Sequence, residues 1–200
     1  MRKIALSLVV LSLVAMPAIS GEFNKVISVG DKAPDFSGIP AIANGEQSSV
    51  SLSDIKEPIV VVVFLANHCP VVRAYEDRVI DFTKDYKDKG VKVVGISVST
   101  MSGDKLPGIK NYMKENKSNY TYAYDESQAV GKAYGAVATP QFFVLDKERK
   151  IRYTGALDDN QREDKVTKTY LRSAVDALLK GESVEVTETR AKGCSIGYNK

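Results

Sequence analysis

The stretch that decides the fold runs from Ile59 to Pro70 and reads IVVVVFLANHCP. Its first seven residues are apolar and mostly β-branched, which is typical of a strand buried on both faces in the middle of a sheet. Pro70 suits the first position of a helix, because its missing N–H would be unpaired there in any case. The stretch therefore predicts a core strand that ends just before a helix, with Cys69 at the junction.

The residues after Pro70 predict a helix as far as about Lys89. Apolar side chains recur there every three or four residues, so they share one face; they are Val72, Tyr75, Val79, Phe82 and Tyr86. Gly90 is a natural stop for the helix, and Val91–Val98 alternates as a second strand. A strand, a helix and a strand in this order imply a right-handed parallel crossover, which is typical of α/β proteins.

Two more stretches have the pattern of strands. Gln141–Leu145 reads as a third core strand, and Ile151–Thr154 pairs back on it as a hairpin. Gly21–Asn44 reads instead as an irregular entry segment, because Pro34 and Pro40 interrupt it.

Three more helices are predicted from apolar spacing and end signals. They run from about Pro107 to Asn116, from a capping box at Asp125 and Gln128 to Gly135, and from about Lys165 to Lys180. The chain of 200 residues, 44% of them apolar, is long enough for one domain with a proper core.

The N-terminus has the three parts of a secretory signal peptide. Arg2 and Lys3 precede the apolar run Ile4–Ala15, and Ala18-Ile19-Ser20 is a small-x-small cleavage signal. We therefore expect a signal peptide over residues 1–20 and one exported domain over residues 21–200, with no membrane association after cleavage. The alternative is an uncleaved N-terminal anchor. That domain carries 26 basic and 25 acidic residues, so nothing indicates a nucleic-acid partner.

The cysteine count excludes several kinds of site. Only Cys69 and Cys194 are present, and His68 is the single histidine. This set lacks the spacing of a zinc site and of covalent haem attachment, so we predict no metal and no cofactor. In an exported protein two such cysteines can persist as a disulfide.

Cys69 is the candidate reactive centre. A helix N-terminus offers unpaired N–H groups and a positive dipole end, which favour thiolate over thiol. The end of a strand in an open α/β sheet is also where ligands reach the chemistry, so Cys69 is expected to be exposed. The alternative is a small buried cysteine that caps a helix by chance.

Other polar residues near Cys69 have weaker interpretations. A protonated His68 could lower the pKa of Cys69, although its side chain could equally point away. Arg73 could approach the thiolate from the first helical turn, but an ordinary surface arginine is the favoured interpretation. Glu76 and Asp158 read as solvated charges, as do Asp77 and Asp159.

Thr139-Pro140 stands directly before the third core strand. X-Pro bonds are the only common cis peptides, and a cis bond here would turn the backbone of Thr139 towards the Cys69 thiol. That backbone could then pair with an incoming extended peptide, so we predict a cis bond and a substrate-binding face at Thr139 and Pro140.

The order of these motifs resembles the redoxin group, which spans alkyl hydroperoxide reductase/thiol-specific antioxidant proteins and exported thioredoxin-like reductases. The resemblance covers about Val29 to Gly181 and starts at Val29–Phe36, which reads VGDKAPDF. Particularly similar to a bacterial subgroup are Asn67-His68-Cys69-Pro70 and the ending Gly193-Cys194-Ser195-Ile196. The resemblance implies a thioredoxin-like fold, with a central mixed β-sheet flanked by helices on both faces.

The chain departs from both motifs of that group. Val72 stands where thioredoxins have the second cysteine of C-x-x-C, and Ala66 and Val62 replace the threonine and proline that precede the peroxidatic cysteine of peroxiredoxins. The sequence therefore leaves three functions open. The first is thiol–disulfide oxidoreduction by Cys69, resolved by Cys194, with His68, Thr139 and Pro140 binding the substrate.

The second is a thiol peroxidase that forms a sulfenic acid at Cys69. The third is a non-enzymatic module held by a structural Cys69–Cys194 disulfide. The partners expected of the enzymes are a protein disulfide or thiol, or a hydroperoxide, together with a thiol reductant. The expected location is periplasmic or secreted, and the sequence does not reveal the oligomeric state.

Overall fold

The computed structural model describes residues 21–199, so the predicted signal peptide lies outside the described residues. Within residues 21–199, nine strands and four α-helices form one α/β unit, and the strands make a seven-stranded sheet and a small two-stranded one. The strands are β1 (Ile39–Ala43), β2 (Glu46–Val50), β3 (Ile59–Phe64), β4 (Val91–Ser97), β5 (Thr121–Tyr124), β6 (Ala138–Thr139), β7 (Gln141–Leu145), β8 (Ile151–Gly155) and β9 (Cys194–Ser195). The helices are α1 (Pro70–Tyr86), α2 (Leu106–Asn116), α3 (Ala129–Ala133) and α4 (Tyr170–Leu179).

The predicted core strand lies inside the large sheet, whose order is β2-β1-β5-β4-β3-β7-β8. All six residues of β3 are buried, as the apolar run predicts. β3 runs parallel to β4 and antiparallel to β7, which confirms a mixed sheet and the parallel crossover through α1.

Alternate residues of β3 pack into two hydrophobic cores, one on each face of the sheet. Val61 and Val63 pack with the apolar face of α1 and with residues of α2 and α4. Val60, Val62 and Phe64 pack on the other side, against α3 and the N-terminal segment. The thioredoxin-like α/β fold with helices on both faces is thereby confirmed, and it places Cys69 between the interior strand β3 and the start of α1.

The entry segment is not wholly irregular, and that prediction was wrong. Residues Ile39–Ala43 form β1, although Pro40 lies within it. Pro40 is tolerated because β5 pairs only with Ala41 and Ile42, so the missing N–H falls outside that ladder.

Two helix boundaries also differ from the prediction. The last helix starts at Tyr170 rather than near Lys165, after a single 3₁₀ turn at Glu163–Lys165. The capping box is absent as well, because Gln128 has a left-handed backbone and stands itself at the start of α3. The Asp125 side chain accepts the N–H of Val130, one turn further on.

The segment after α4 is fastened to the edge of the sheet before it reaches Cys194. The Thr189 N–H donates to the Thr154 carbonyl, and Thr154 donates to Thr187. The Glu188 carboxylate accepts the N–H groups of Glu22, Phe23 and Asn24, so it joins the N-terminal segment to the same edge. Among residues 21–199, no helix has the length and apolar character needed to cross a membrane.

Candidate functional site

Cys69 caps the N-terminus of α1, as the sequence predicts. Its carbonyl accepts the N–H of Arg73, and Pro70 occupies the first helical turn. No acidic side chain lies in that turn, so the positive end of the helix is not neutralised there. This environment favours a negative charge on the sulfur whenever Cys69 is reduced.

The structure joins Cys69 to Cys194 in a disulfide, with 6.0 Å between the two Cα atoms. Cys69 is 0% exposed, which contradicts the expectation of an exposed cysteine. The C-terminal tail, residues 190–199, contributes to this burial, because its Cys194 is bonded to the Cys69 sulfur. Cys194 itself is half-buried.

The Thr139-Pro140 peptide bond is cis, as predicted. The Thr139 carbonyl oxygen lies 3.2 Å from the Cys69 sulfur. Thr139 and Pro140 are therefore beside the disulfide, at the position where the sequence places a substrate face.

The tail crosses this face as an extended strand. β9 pairs antiparallel with β6, so that Thr139 stands opposite Cys194 and Ala138 opposite Ser195. The ladder continues because the Ile196 N–H donates to the Val137 carbonyl over 3.0 Å. A peptide strand belonging to the chain itself thus occupies the edge beside Pro140.

Gln128 holds the far end of the tail. Its Nε2 donates to the carbonyls of Val98 and Gly197, and its Oε1 accepts the N–H of Asn199. The Tyr198 hydroxyl donates in turn to the Ala136 carbonyl. The role that the sequence suggested for Gln128, a helix cap, is replaced by this contact with the tail.

His68 is held by Asp104, a residue that the sequence did not indicate. Its Nδ1 lies 2.5 Å from Oδ2 of Asp104, and its backbone N–H donates to Oδ1 of the same carboxylate. Asp104 is 0% exposed, whereas the His68 side chain is 43% exposed. Asp104 therefore fixes the ring through Nδ1 and leaves Nε2 as the nitrogen available to a ligand.

The segment before Cys69 is also held against Gly103, the neighbour of Asp104. Asn67 Nδ2 donates to the Gly103 carbonyl, and the Arg73 Nε donates to the Asn67 carbonyl. Arg73 is exposed, in agreement with its interpretation as a surface residue. No local signal could have revealed Asp104, since it lies 36 residues from His68 along the chain.

A cavity of about 180 Å³ opens beside the tail. His68, Met101, Thr139 and Ser195 are among its lining residues. The cavity therefore lies beside His68 and Ser195, the chain neighbours of the two cysteines.

Glu76 and Asp158 are buried, so their interpretation as solvated charges was wrong. The Glu76 carboxylate accepts hydroxyl hydrogen bonds from Tyr112, Ser118 and Tyr120. Burial raises the pKa of Glu76, and the three hydroxyls oppose the rise. Burial likewise raises the pKa of Asp158.

The Asp158 carboxylate is paired with Arg78 and accepts the Tyr75 hydroxyl. The Arg78 charge opposes the rise in the pKa of Asp158. Both carboxylates fasten α1 to its neighbours rather than lying in the cavity beside Cys69. Within residues 21–199, no three His, Cys, Asp or Glu side chains gather in a way that could hold a metal ion.

Residues 28–171 match the family model described as Redoxin. The chain is 30% identical over 136 residues to thiol-disulfide oxidoreductase ResA of Oceanobacillus iheyensis, an alignment that covers 67% of this chain and 69% of the relative. It is 29% identical over 151 residues to the chloroplastic peroxiredoxin Q of Oryza sativa subsp. japonica, covering 70% and 65%.

A similar solved structure comes from Chlorobium tepidum, a chain provisionally named thiol:disulfide interchange protein DsbE. It has a TM-score of 0.61 and 25% identity, over 76% of this chain and 99% of that one.

Proposed function

The chain belongs to the redoxin family, and we propose that it is an exported thiol–disulfide oxidoreductase in which Cys69 is the nucleophile and Cys194 resolves the intermediate. The observation that carries the proposal is the Cys69–Cys194 disulfide at a helix N-terminus, beside the Thr139 carbonyl. The similarity to oxidoreductases with ResA and DsbE names supports the same reaction class.

The reductive cycle begins with the dithiol. The Cys69 thiolate attacks one sulfur of a substrate disulfide, forming a mixed disulfide and releasing the other substrate sulfur as a thiolate that takes up a proton. The Cys194 thiol loses its proton and attacks the Cys69 sulfur. The second substrate sulfur then leaves, so the substrate gains two electrons and the protein gains one disulfide.

An external dithiol must then reduce the Cys69–Cys194 bond. We propose that the reductant attacks Cys194, because Cys69 is 0% exposed and Cys194 is half-buried. The sulfur expelled is then that of Cys69, whose negative charge the helix N-terminus stabilises. A thiol with a lower pKa leaves faster, so this direction of attack suits the chemistry.

The residues around the disulfide supply the substrate site. We assign Thr139 and Pro140 to the edge that pairs with a peptide, and His68 to the contact with the approaching sulfur. Asp104 is a positioning residue, because it acts through His68, whose ring and backbone N–H it holds. The expected partners are a protein disulfide or thiol and a thiol reductant.

Export rests on the signal-like residues 1–20, and the periplasm or the exterior of a bacterium is the expected location. We also place the chain in the redoxin subgroup that combines Asn67-His68-Cys69-Pro70 with Gly193-Cys194-Ser195-Ile196.

The second candidate is a thiol peroxidase, which the similarity to peroxiredoxin Q favours. In that reaction the Cys69 thiolate attacks a hydroperoxide, releases an alcohol or water, and becomes a sulfenic acid. Cys194 condenses with it to give the disulfide and water. Ala66 opposes this candidate, because it replaces the threonine hydroxyl that orients the peroxide in the resembling family.

The deciding experiment compares insulin-disulfide reduction with peroxide consumption on the same purified protein, residues 21–200. We expect insulin reduction that is abolished in Cys69→Ser, while Cys194→Ser accumulates a mixed disulfide with the substrate that mass spectrometry detects. Peroxide consumption faster than insulin reduction would establish the peroxidase instead. If neither reaction depends on Cys69, the disulfide is structural.

A further inference from the structure

The tail strand indicates what kind of partner the site accepts. We propose that residues Gly193–Ile196 occupy the place of the substrate, and that the substrate is a polypeptide presenting an extended segment in which glycine directly precedes the reactive cysteine. This inference rests on the proposed function, since it specifies the substrate of the same site.

The pairing of β9 with β6 uses backbone groups at every step. Cys194 faces Thr139, Ser195 faces Ala138, and the Ile196 N–H reaches the Val137 carbonyl. A foreign strand with its cysteine opposite Thr139 can make the same hydrogen bonds, because they involve no particular side chain. The backbone ladder therefore sets the register, and side-chain contacts decide which sequences fit.

Side-chain selectivity is concentrated at the position before the cysteine. A Cβ atom on Gly193 would lie 1.9 Å from the Thr139 carbonyl oxygen, 2.6 Å from its carbonyl carbon and 3.1 Å from the Pro140 nitrogen. These are backbone atoms, so no side-chain rotation can relieve the overlap. A strand in this register must carry glycine there.

The next position has no such restriction. Ser195 already carries a side chain in this register, and that residue is exposed. Gly197 also has open space around its Cβ position, with no atom within 4 Å. The requirement for glycine is thus a property of position 193 and not of the whole tail.

Tail and substrate compete for one strand edge. The substrate can pair with Thr139 only after the tail has left β6, which cannot happen while the Cys69–Cys194 bond is closed. The dithiol is therefore the form that receives the partner.

The first test uses the full exported chain with Cys194→Ser, which keeps Cys69 as its single thiol. Two synthetic peptides, EVTGCSIGY and EVTACSIGY, carry their cysteine as a disulfide with 5-thio-2-nitrobenzoate. The Cys69 thiolate attacks the peptide sulfur, the old S–S bond breaks, and the coloured thionitrobenzoate anion leaves with the electron pair. The release is followed by absorbance, and each rate is divided by that of the same peptide with glutathione.

We expect the glycine peptide to react at least tenfold faster than the alanine peptide. The tethered tail competes equally with both, so their ratio is unaffected by it. Equal normalised rates would overturn the inference while leaving the proposed function intact. If neither peptide nor the symmetrical nitrobenzoate disulfide reacts with Cys69, the proposed function fails as well.

The second test examines the tail itself in the intact protein. Gly193→Ala should shift the equilibrium of the Cys69–Cys194 couple with glutathione about tenfold towards the dithiol, which is about 30 mV. Gly197→Ala is the matched control and should leave the equilibrium unchanged. An unchanged equilibrium in Gly193→Ala would show that the overlap at Thr139 is relieved at no cost, and would overturn the inference.

Discussion

Reduction of the Cys69–Cys194 bond should destabilise the protein by less than the length of the closed loop would suggest. The two cysteines are 125 residues apart, and the chain-entropy model assigns a loop of that length about 5 kcal/mol at 25 °C. A purely structural bond would make the oxidised protein more stable than the reduced one by about that amount. By linkage its reduction potential would lie about 105 mV below that of the unfolded chain.

A disulfide that opens and closes during the reaction should give a smaller difference in unfolding free energy between the oxidised and the reduced protein, because the reduced state has its own stabilising interaction. Once the bond opens, Cys69 can ionise at the N-terminus of α1, where a charge in a partly buried geometry gains up to about 2 kcal/mol. We therefore expect the unfolding free energy of the oxidised protein to exceed that of the reduced protein by about 3 kcal/mol at pH 9.

The pH dependence provides the sharper criterion. A lowered folded-state pKa of Cys69 stabilises the reduced protein at a pH above the unfolded value of about 8.5, and this is lost as the pH falls through the folded-state pKa. The difference in unfolding free energy between the oxidised and the reduced protein should thus grow towards about 5 kcal/mol at pH 5. Urea unfolding of the oxidised protein and of the phosphine-reduced protein at both pH values measures it, with Cys194→Ser as the redox-insensitive control. A difference of about 5 kcal/mol at both pH values would refute the reasoning and identify a structural bond.

Three substitutions test the polar contacts. Asp104→Asn should slow insulin reduction by about tenfold, because His68 loses the carboxylate that holds its ring; this is the effect of weakening one charge-assisted hydrogen bond. The pH profile of the rate between pH 5 and 8, where histidines titrate, should change shape, and the urea midpoint shows that the protein still folds. Tyr120→Phe should reduce the unfolding free energy by more at pH 9 than at pH 5, and by about 1.5–3 kcal/mol where the Glu76 carboxylate is charged, because burial raises the pKa of Glu76 and so lowers its charged fraction at the lower pH. Tyr153→Phe is its control, because the Tyr153 hydroxyl bonds only neutral groups, and an equal pH effect in both variants would contradict the assignment. Glu76→Gln should gain stability relative to the wild type as the pH rises. Burial raises the folded-state pKa of Glu76, so the wild type loses stability as the pH climbs from the unfolded-state pKa through the folded-state pKa. Parallel curves of stability against pH for the two proteins would count against this expectation.

The elements that the sequence predicts well are those with a strong local pattern. The five apolar residues of α1 repeat at helical spacing, and all of them are buried. The run Ile59–Leu65 is apolar throughout, and its first six residues form β3, a buried strand in the interior of the sheet. The cysteine at their junction follows from the two patterns, so its place in the fold needs no distant information.

The features that the sequence did not reveal depend on residues far apart in the chain. Glu76 looks like a surface charge until Tyr112, Ser118 and Tyr120 are brought to it from 36 to 44 residues away. The disulfide partner of Cys69 likewise lies on a strand more than a hundred residues later. Local composition carries no record of such pairings, because they arise from how the sheet assembles.

The attachment of Thr189 to β8 limits how far the tail can travel once the disulfide opens. The sequence suggests a tether of about fourteen residues between the last helix and Cys194. Thr189 is attached, however, and Cys194 is only five positions beyond it, a stretch that spans at most about 18 Å when fully extended. So short a tether keeps the Cys194 thiol at an effective concentration in the millimolar range around Cys69. A small thiol that becomes attached to Cys69 is therefore displaced from within the molecule, unless thiols of the surroundings reach comparable concentrations.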